Sequence, residues 1–163
     1  MAVMNTTSTR VNYNETNAFS KLVLDYLSGS GTLRPFYKHT PDIKGILEAI
    51  DARKKAPVNR QLLVDQLRIQ YAHFALDSKQ EEYLQQLLLE NTFTITTAHQ
   101  PNIFTGPLYF IYKILHAIKM ADALRTSLVG FHFVPVYYMG SEDADLDELG
   151  HFFVDGEKRS WNT

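Results

Sequence analysis

The chain has 163 residues, with 16 Lys+Arg against 18 Asp+Glu and a formal net charge of −2. Apolar residues make up 45% and charged residues 21%, the balance of a globular domain that can bury a core and is too apolar for disorder. Near-neutral charge excludes the basic footprint of a nucleic-acid binder, no apolar run reaches the ~20 residues of a membrane span, and the lack of cysteine excludes disulfides, thiolate catalysis and Cys-based zinc sites. The opening MAVMNTTSTR has no apolar h-region after a basic segment. These features lead us to expect a cytoplasmic protein with neither nucleic acid nor membrane as partner.

Residues 1–90 hold 11 basic and 10 acidic side chains, and residues 91–163 hold 5 and 8, so net charge passes from +1 to −3 near residue 91. The first part reads as helices. Asn17 to Leu27 carries Phe19, Leu22, Val23 and Tyr26 at helical spacing, and Ser28-Gly29-Ser30-Gly31 ends it. A second helix is expected at Thr40-Pro41, with Thr40 as N-cap, Asp42 in the first turn and Ile43, Ile46, Leu47 and Ile50 on one face. A third runs from Asn59 with Leu62, Leu63, Leu67, Tyr71 and Phe74. The fourth opens on the capping-box pattern Ser78-Lys79-Gln80-Glu81.

After residue 91 the period changes. Thr92 to Thr97 alternates β-branched and aromatic residues and reads as a strand; Pro107 opens a long helix to about Leu124, expected to bury Leu108, Ile111, Leu115 and Ile118. Phe131 to Met139 is a second, nearly continuous apolar strand. Strand, helix and strand in this order predict a βαβ unit with parallel strands. His151-Phe152-Phe153-Val154, the turn Asp155-Gly156, and Glu157 to Trp161 predict a hairpin. The expected class is therefore α/β: a helical region over 1–90 packing on a sheet, and the start of a Rossmann-like domain over 91–163. Two parallel strands are few for such a sheet, which suggests the first part of a longer chain.

Ligands of open α/β sheets bind beyond the carboxyl ends of the strands, which points to two loops. The first, Ala98 to Gly106, brings His99, Gln100, Asn102 and Thr105 to a helix start, where unpaired N–H groups favour a phosphate or carboxylate. An ordinary strand-to-helix turn capped by Thr105 or Gly106 explains the same residues. Tyr109, Tyr112, Lys113 and His116 then share one helix face, which is the wall of an anion cleft or simply a solvated face. The second loop, Gly140 to His151, carries Glu142, Asp143, Asp145, Asp147 and Glu148. Such crowded carboxylates call for a cation, an amine, or helix-start N–H groups with Ser141 as cap. Its spacing fails an EF-hand at positions six and twelve, Glu148 and Val154, and the histidines show no zinc spacing.

Together, Thr97-Ala98-His99-Gln100-Pro101-Asn102-Ile103-Phe104-Thr105-Gly106-Pro107-Leu108-Tyr109, Tyr112-Lys113, Val134-Pro135-Val136 and Ser141-Glu142-Asp143-Ala144-Asp145 resemble the BshC family, the cysteine-adding enzymes of bacillithiol biosynthesis. Asn17 to Leu27 and Leu33-Arg34-Pro35-Phe36-Tyr37 fit its amino terminus. The chain departs from the family pattern at Ala98-His99-Gln100, where many relatives carry Gly-Gln-Gln, and at Ala144, where they carry His. A secondary likeness joins His99-Gln100-Pro101-Asn102 to WbqC-like proteins.

The resemblance implies a nucleotidyltransferase-like Rossmann fold. In the full-length enzyme it also implies a coiled-coil domain and a homodimer. The implied reaction is ligation of cysteine to the amine of glucosaminyl malate, with ATP and Mg²⁺ as expected cofactors and no activity expected of the fragment alone. On this reading His99, Gln100, Asn102, Thr105, Gly106, Tyr109, Lys113 and Ser141 bind substrate. Glu142, Asp143 and Asp145 are the catalytic candidates, one of them as base. A nucleotidyltransferase-like enzyme and a non-catalytic interaction domain with an acidic docking loop are the alternatives.

Overall fold

The computed structural model describes residues 7–143 and 145–161, and it divides into two compact units that meet in sequence between Pro57 and Val58. In the first unit, helix α1 spans Lys21–Leu27, capped by the Ser20 hydroxyl, which accepts from the Val23 amide. It begins four residues later than the periodicity suggests, because Asn17 sits at φ 54°, outside the helical region. Helix α2 spans Ile43–Lys54 and is capped by Asp42 rather than Thr40. The Asp42 carboxylate accepts from the Gly45 amide at 2.8 Å and from the Thr40 hydroxyl at 2.9 Å. Those bonds, the one from Gly45 foremost, hold its carboxyl below the ordinary aspartate value. Gly45 is required here, since a Cβ would run into the Thr40 backbone.

The second unit opens with α3 (Arg60–Gln70), capped by Asn59 as expected. Helix α4 (Ser78–Leu87) starts one residue earlier than expected: Asp77 is the N-cap, and Gln80 completes the box by accepting from the Asp77 amide at 2.9 Å. Arg68 of α3 and Glu81 of α4 form an ion pair at 2.5 Å. The core cluster is Val64, Leu84, Leu87 and Val134, with Leu67, Leu76, Tyr83, Leu88 and Val136 packed against it. The α3 residues expected inside are therefore partly replaced: Val64 is 1% exposed, whereas Leu62 is 54% exposed.

Strand β1 (Thr92–His99), helix α5 (Leu108–Ser127) and strand β2 (His132–Met139) form the predicted βαβ unit. The strands pair in parallel, from Thr92 opposite His132 to His99 opposite Met139. Amides of His132 and Gly140 point at β1, donating to the carbonyls of Asn91 at 3.0 Å and His99 at 2.9 Å. Even-numbered residues of β2 thus turn their N–H groups inward and odd-numbered ones outward, so the missing N–H of Pro135 falls on the outer edge and costs β1 no hydrogen bond.

Helices α4 and α5 both pack on this sheet. The buried residues of α5 are Ala117, Ala121 and Leu124, and the small side chains of the two alanines let the helix approach the strands; Leu108, Ile111, Leu115 and Ile118 are exposed instead, Leu108 at 66%. After a short 3-10 turn (Ser141–Asp143), helix α6 (Leu146–Leu149) leads into the antiparallel hairpin β3 (His151–Val154) and β4 (Glu157–Ser160). Its turn residues Asp155 and Gly156 both take positive φ, 51° and 82°, as a two-residue hairpin demands. Among the described residues no helix is long and apolar enough to cross a membrane.

Candidate functional site

The two loops named from the sequence do converge. Ala98, His99, Gln100, Tyr109, Gly140, Glu142 and Asp143 line a cavity of about 310 Å³ beyond the carboxyl ends of β1 and β2. His99 is its pivot. The His99 carbonyl accepts from the Gly140 amide at 2.9 Å and from the Tyr137 hydroxyl at 3.1 Å, which ties the end of β1 to the end of β2. The imidazole Nε2 lies 2.8 Å from the Tyr109 hydroxyl, and Nδ1 lies 3.0 Å from the Asn102 amide nitrogen and 3.1 Å from the Gln100 carbonyl. Phe110 packs edge-on against the same ring.

The loop between β1 and α5 is shaped by backbone constraints. Phe104 takes left-handed angles (φ 48°, ψ 44°) and Gly106 takes φ 62°, ψ −155°. The Asn102 side chain lies against Gly106 where a Cβ would stand, so the glycine makes room for Asn102 to reach inward. There its amide donates to the Gln100 carbonyl at 2.8 Å. The N-cap position of α5 is Pro107, one residue after Gly106, and Pro107 gives no side-chain cap. The Thr105 side chain lies outside the described residues. Lys113 donates to the Ala98 carbonyl at 2.5 Å.

On the other loop, Glu142 accepts from the Tyr138 hydroxyl at 2.7 Å. That bond lowers the Glu142 carboxyl from its ordinary value and, by the same contact, raises the Tyr138 phenol. Asp143 joins the cavity wall directly after Glu142. Asp145 does not: its carboxylate accepts from the Asp147 amide at 2.9 Å and caps α6, the role the sequence offered to Ser141. Ser141 opens the exposed 3-10 turn, and Ala144 lies outside the described residues. No group of three His, Asp or Glu side chains among the described residues is arranged to hold a metal ion. Sequence reasoning passed over Tyr137 and Tyr138. Consecutive strand residues point to opposite faces, so the pair splits, one phenol bracing His99 and the other Glu142. Two adjacent tyrosines at the carboxyl end of a strand were the available signal.

Residues 4–163 match the family described as "Bacillithiol biosynthesis BshC, N-terminal Rossmann-like domain". A protein of Cytophaga hutchinsonii named "Putative cysteine ligase BshC" is 42% identical over 154 residues, covering 94% of this chain and 30% of its own length. Proteins of the same name from Flavobacterium psychrophilum and Carboxydothermus hydrogenoformans are 40% and 34% identical, over 94% and 84% of this chain and 29% and 25% of their own lengths. The chain therefore spans about 30% of the length of such relatives. It belongs to the BshC family and carries that family's N-terminal Rossmann-like domain.

Proposed function

We propose that this domain supplies the amine-recognising site of a cysteine ligase that joins the carboxyl group of L-cysteine to the glucosamine amine of glucosaminyl malate. The observation that carries the reading is the cavity beyond β1 and β2, where Glu142 and Asp143 stand with Tyr109 and His99 around one opening. A primary ammonium has three donors and no acceptor, so it is matched by carboxylates and left unsatisfied by apolar walls. In this reading either carboxylate takes the proton that the amine sheds on becoming a nucleophile, and Asp145, engaged at the start of α6, is the weaker choice as base. The relatives' name supports cysteine as the second substrate.

A nucleotide phosphate chain with Mg²⁺ does not fit this cavity. Neither Asn102 nor Lys113 lines it, and no group of three His, Asp or Glu side chains among the described residues is arranged to hold the metal ion. The test is NMR titration of the chain with D-glucosamine and with L-cysteine. Saturable shifts at Glu142 and Asp143 that disappear in Asp143→Asn support the reading, and equal responses in both proteins overturn it.

A further inference from the structure

Glu142 is exposed at the mouth of the cavity, on a turn of three residues that no buried side chain anchors. A glutamate in that setting samples many rotamers, and each ligand contact must first arrest them. Among the described residues the side-chain hydrogen bond that restrains it is the 2.7 Å one from Tyr138, four residues earlier at the end of β2, and the backbone amide of Glu142 itself adds to it. Tyr138 is 52% exposed, so its ring is not held there by burial. The bond engages one carboxylate oxygen, Oε1, and no other side chain among the described residues bonds Oε2.

We propose that Tyr138 is a positioning residue: its phenol pins Oε1 of Glu142 and so presents Oε2 to the cavity as an acceptor for a primary ammonium. This rests on the amine-site reading above and adds to it a residue that neither the family pattern nor the loop motifs single out. A strand end is rigid compared with the loop, and the phenol transmits that rigidity to the carboxylate. Because the hydroxyl donates to the ionised form, it also keeps Glu142 charged further into the acid range. The other titratable groups around the cavity are Asp143 beside Glu142, His99 at the end of β1 and Tyr109 on α5.

The experiment is Tyr138→Phe, which keeps the ring and removes only the donor. Two readouts separate this proposal from the amine-site reading. The first needs no ligand: the Glu142 side-chain carboxyl is followed by ¹³C NMR against pH, and its titration should move upward in Tyr138→Phe. An unmoved titration overturns the proposal. The second uses D-glucosamine, L-cysteine and methylammonium as probes. Binding of whichever ammonium the site accepts should weaken about tenfold, the loss of one charge-assisted hydrogen bond's worth of order. Its acid limb should shift to higher pH. In the Glu142→Gln variant the same substitution should change nothing further, as a double-mutant cycle requires. If the carboxyl titration moves and none of the three probes binds the unsubstituted chain, Tyr138 still positions Glu142 and it is the amine-site reading that fails. Equal affinity in the two proteins for a probe that does bind overturns the positioning role.

Discussion

Lys113, near the start of α5, reaches back fifteen residues to the carbonyl of Ala98, the outward-facing backbone oxygen next to the end of β1, and bonds it at 2.5 Å. Pro107, at the N-cap of α5, gives no side-chain cap, and this ammonium is a side-chain tie between the first turns of the helix and the strand that aims the cavity loop. The family resemblance assigned the same lysine to an anionic substrate, and the two roles make different predictions. Lys113→Met should lower unfolding free energy by about 1 kcal/mol, measured by urea denaturation, and leave acetate binding unaltered. Unchanged stability with weakened acetate binding would return Lys113 to ligand recognition.

A second tie closes the other end of β1. The Arg60 guanidinium donates to the carbonyls of Leu87 at 3.0 Å, Glu90 at 3.3 Å and Thr92 at 3.1 Å, gathering the end of α4 and the start of the strand. Arg60→Met should cost about 2 kcal/mol, because partly buried carbonyls lose charged donors. Arg60→Lys should recover only part of that, since an ammonium cannot span three acceptors held in a fork. Full recovery by lysine would show that charge alone matters.

Gly106 makes a sharper prediction about the loop. Gly106→Ala places a methyl group at φ 62° and against the Asn102 side chain, so it should cost about 2 kcal/mol and displace Asn102 from His99. Loss of the Asn102 side-chain amide cross-peaks to His99, with the βαβ core signals unchanged, is the expected NMR result. Retained cross-peaks would mean the loop relaxes without Asn102 moving.

Acid should loosen the α3–α4 pair. Glu81 is held below its ordinary value chiefly by the hydrogen bond from Arg68, then by one from Gln85. A carboxylate whose folded value is depressed contributes its full stability above the unfolded value and loses it as pH falls through the folded one. The domain should therefore lose stability through and below the ordinary carboxylate range. Glu81→Gln should flatten that loss while lowering stability at neutral pH. A variant with the acid dependence of the parent would show that the Arg68 pair is solvent-screened to insignificance.

The period change at residue 91 was legible, and with it the order of helices, the parallel βαβ unit and the Asp155-Gly156 hairpin, because each rests on local chemistry. Caps were misplaced by one or two residues where two capping residues stand close together: Asp42 prevails over Thr40 and Asp77 over Ser78. At Asp42 the carboxylate accepts the Gly45 amide and the Thr40 hydroxyl at once, and at Asp77 it accepts the Gln80 amide while the Gln80 side chain accepts from the Asp77 amide. The inner face of α5 was misread for a different reason. Periodicity favours large apolar residues, whereas close approach to a sheet selects Ala117 and Ala121. At the site, the sequence named the two loops but not their braces. That Tyr138 meets Glu142, or Tyr137 the His99 carbonyl, depends on strand register and on a turn that no residue pattern encodes.

Pro135 gives the sheet a property of its own. The outer edge of β2 can offer amide hydrogens at Phe133 and Tyr137 but none between them, so a foreign strand that docks there meets a gap at the middle of its ladder. The proline that costs the pairing with β1 nothing thus leaves any strand added along this edge with a broken ladder.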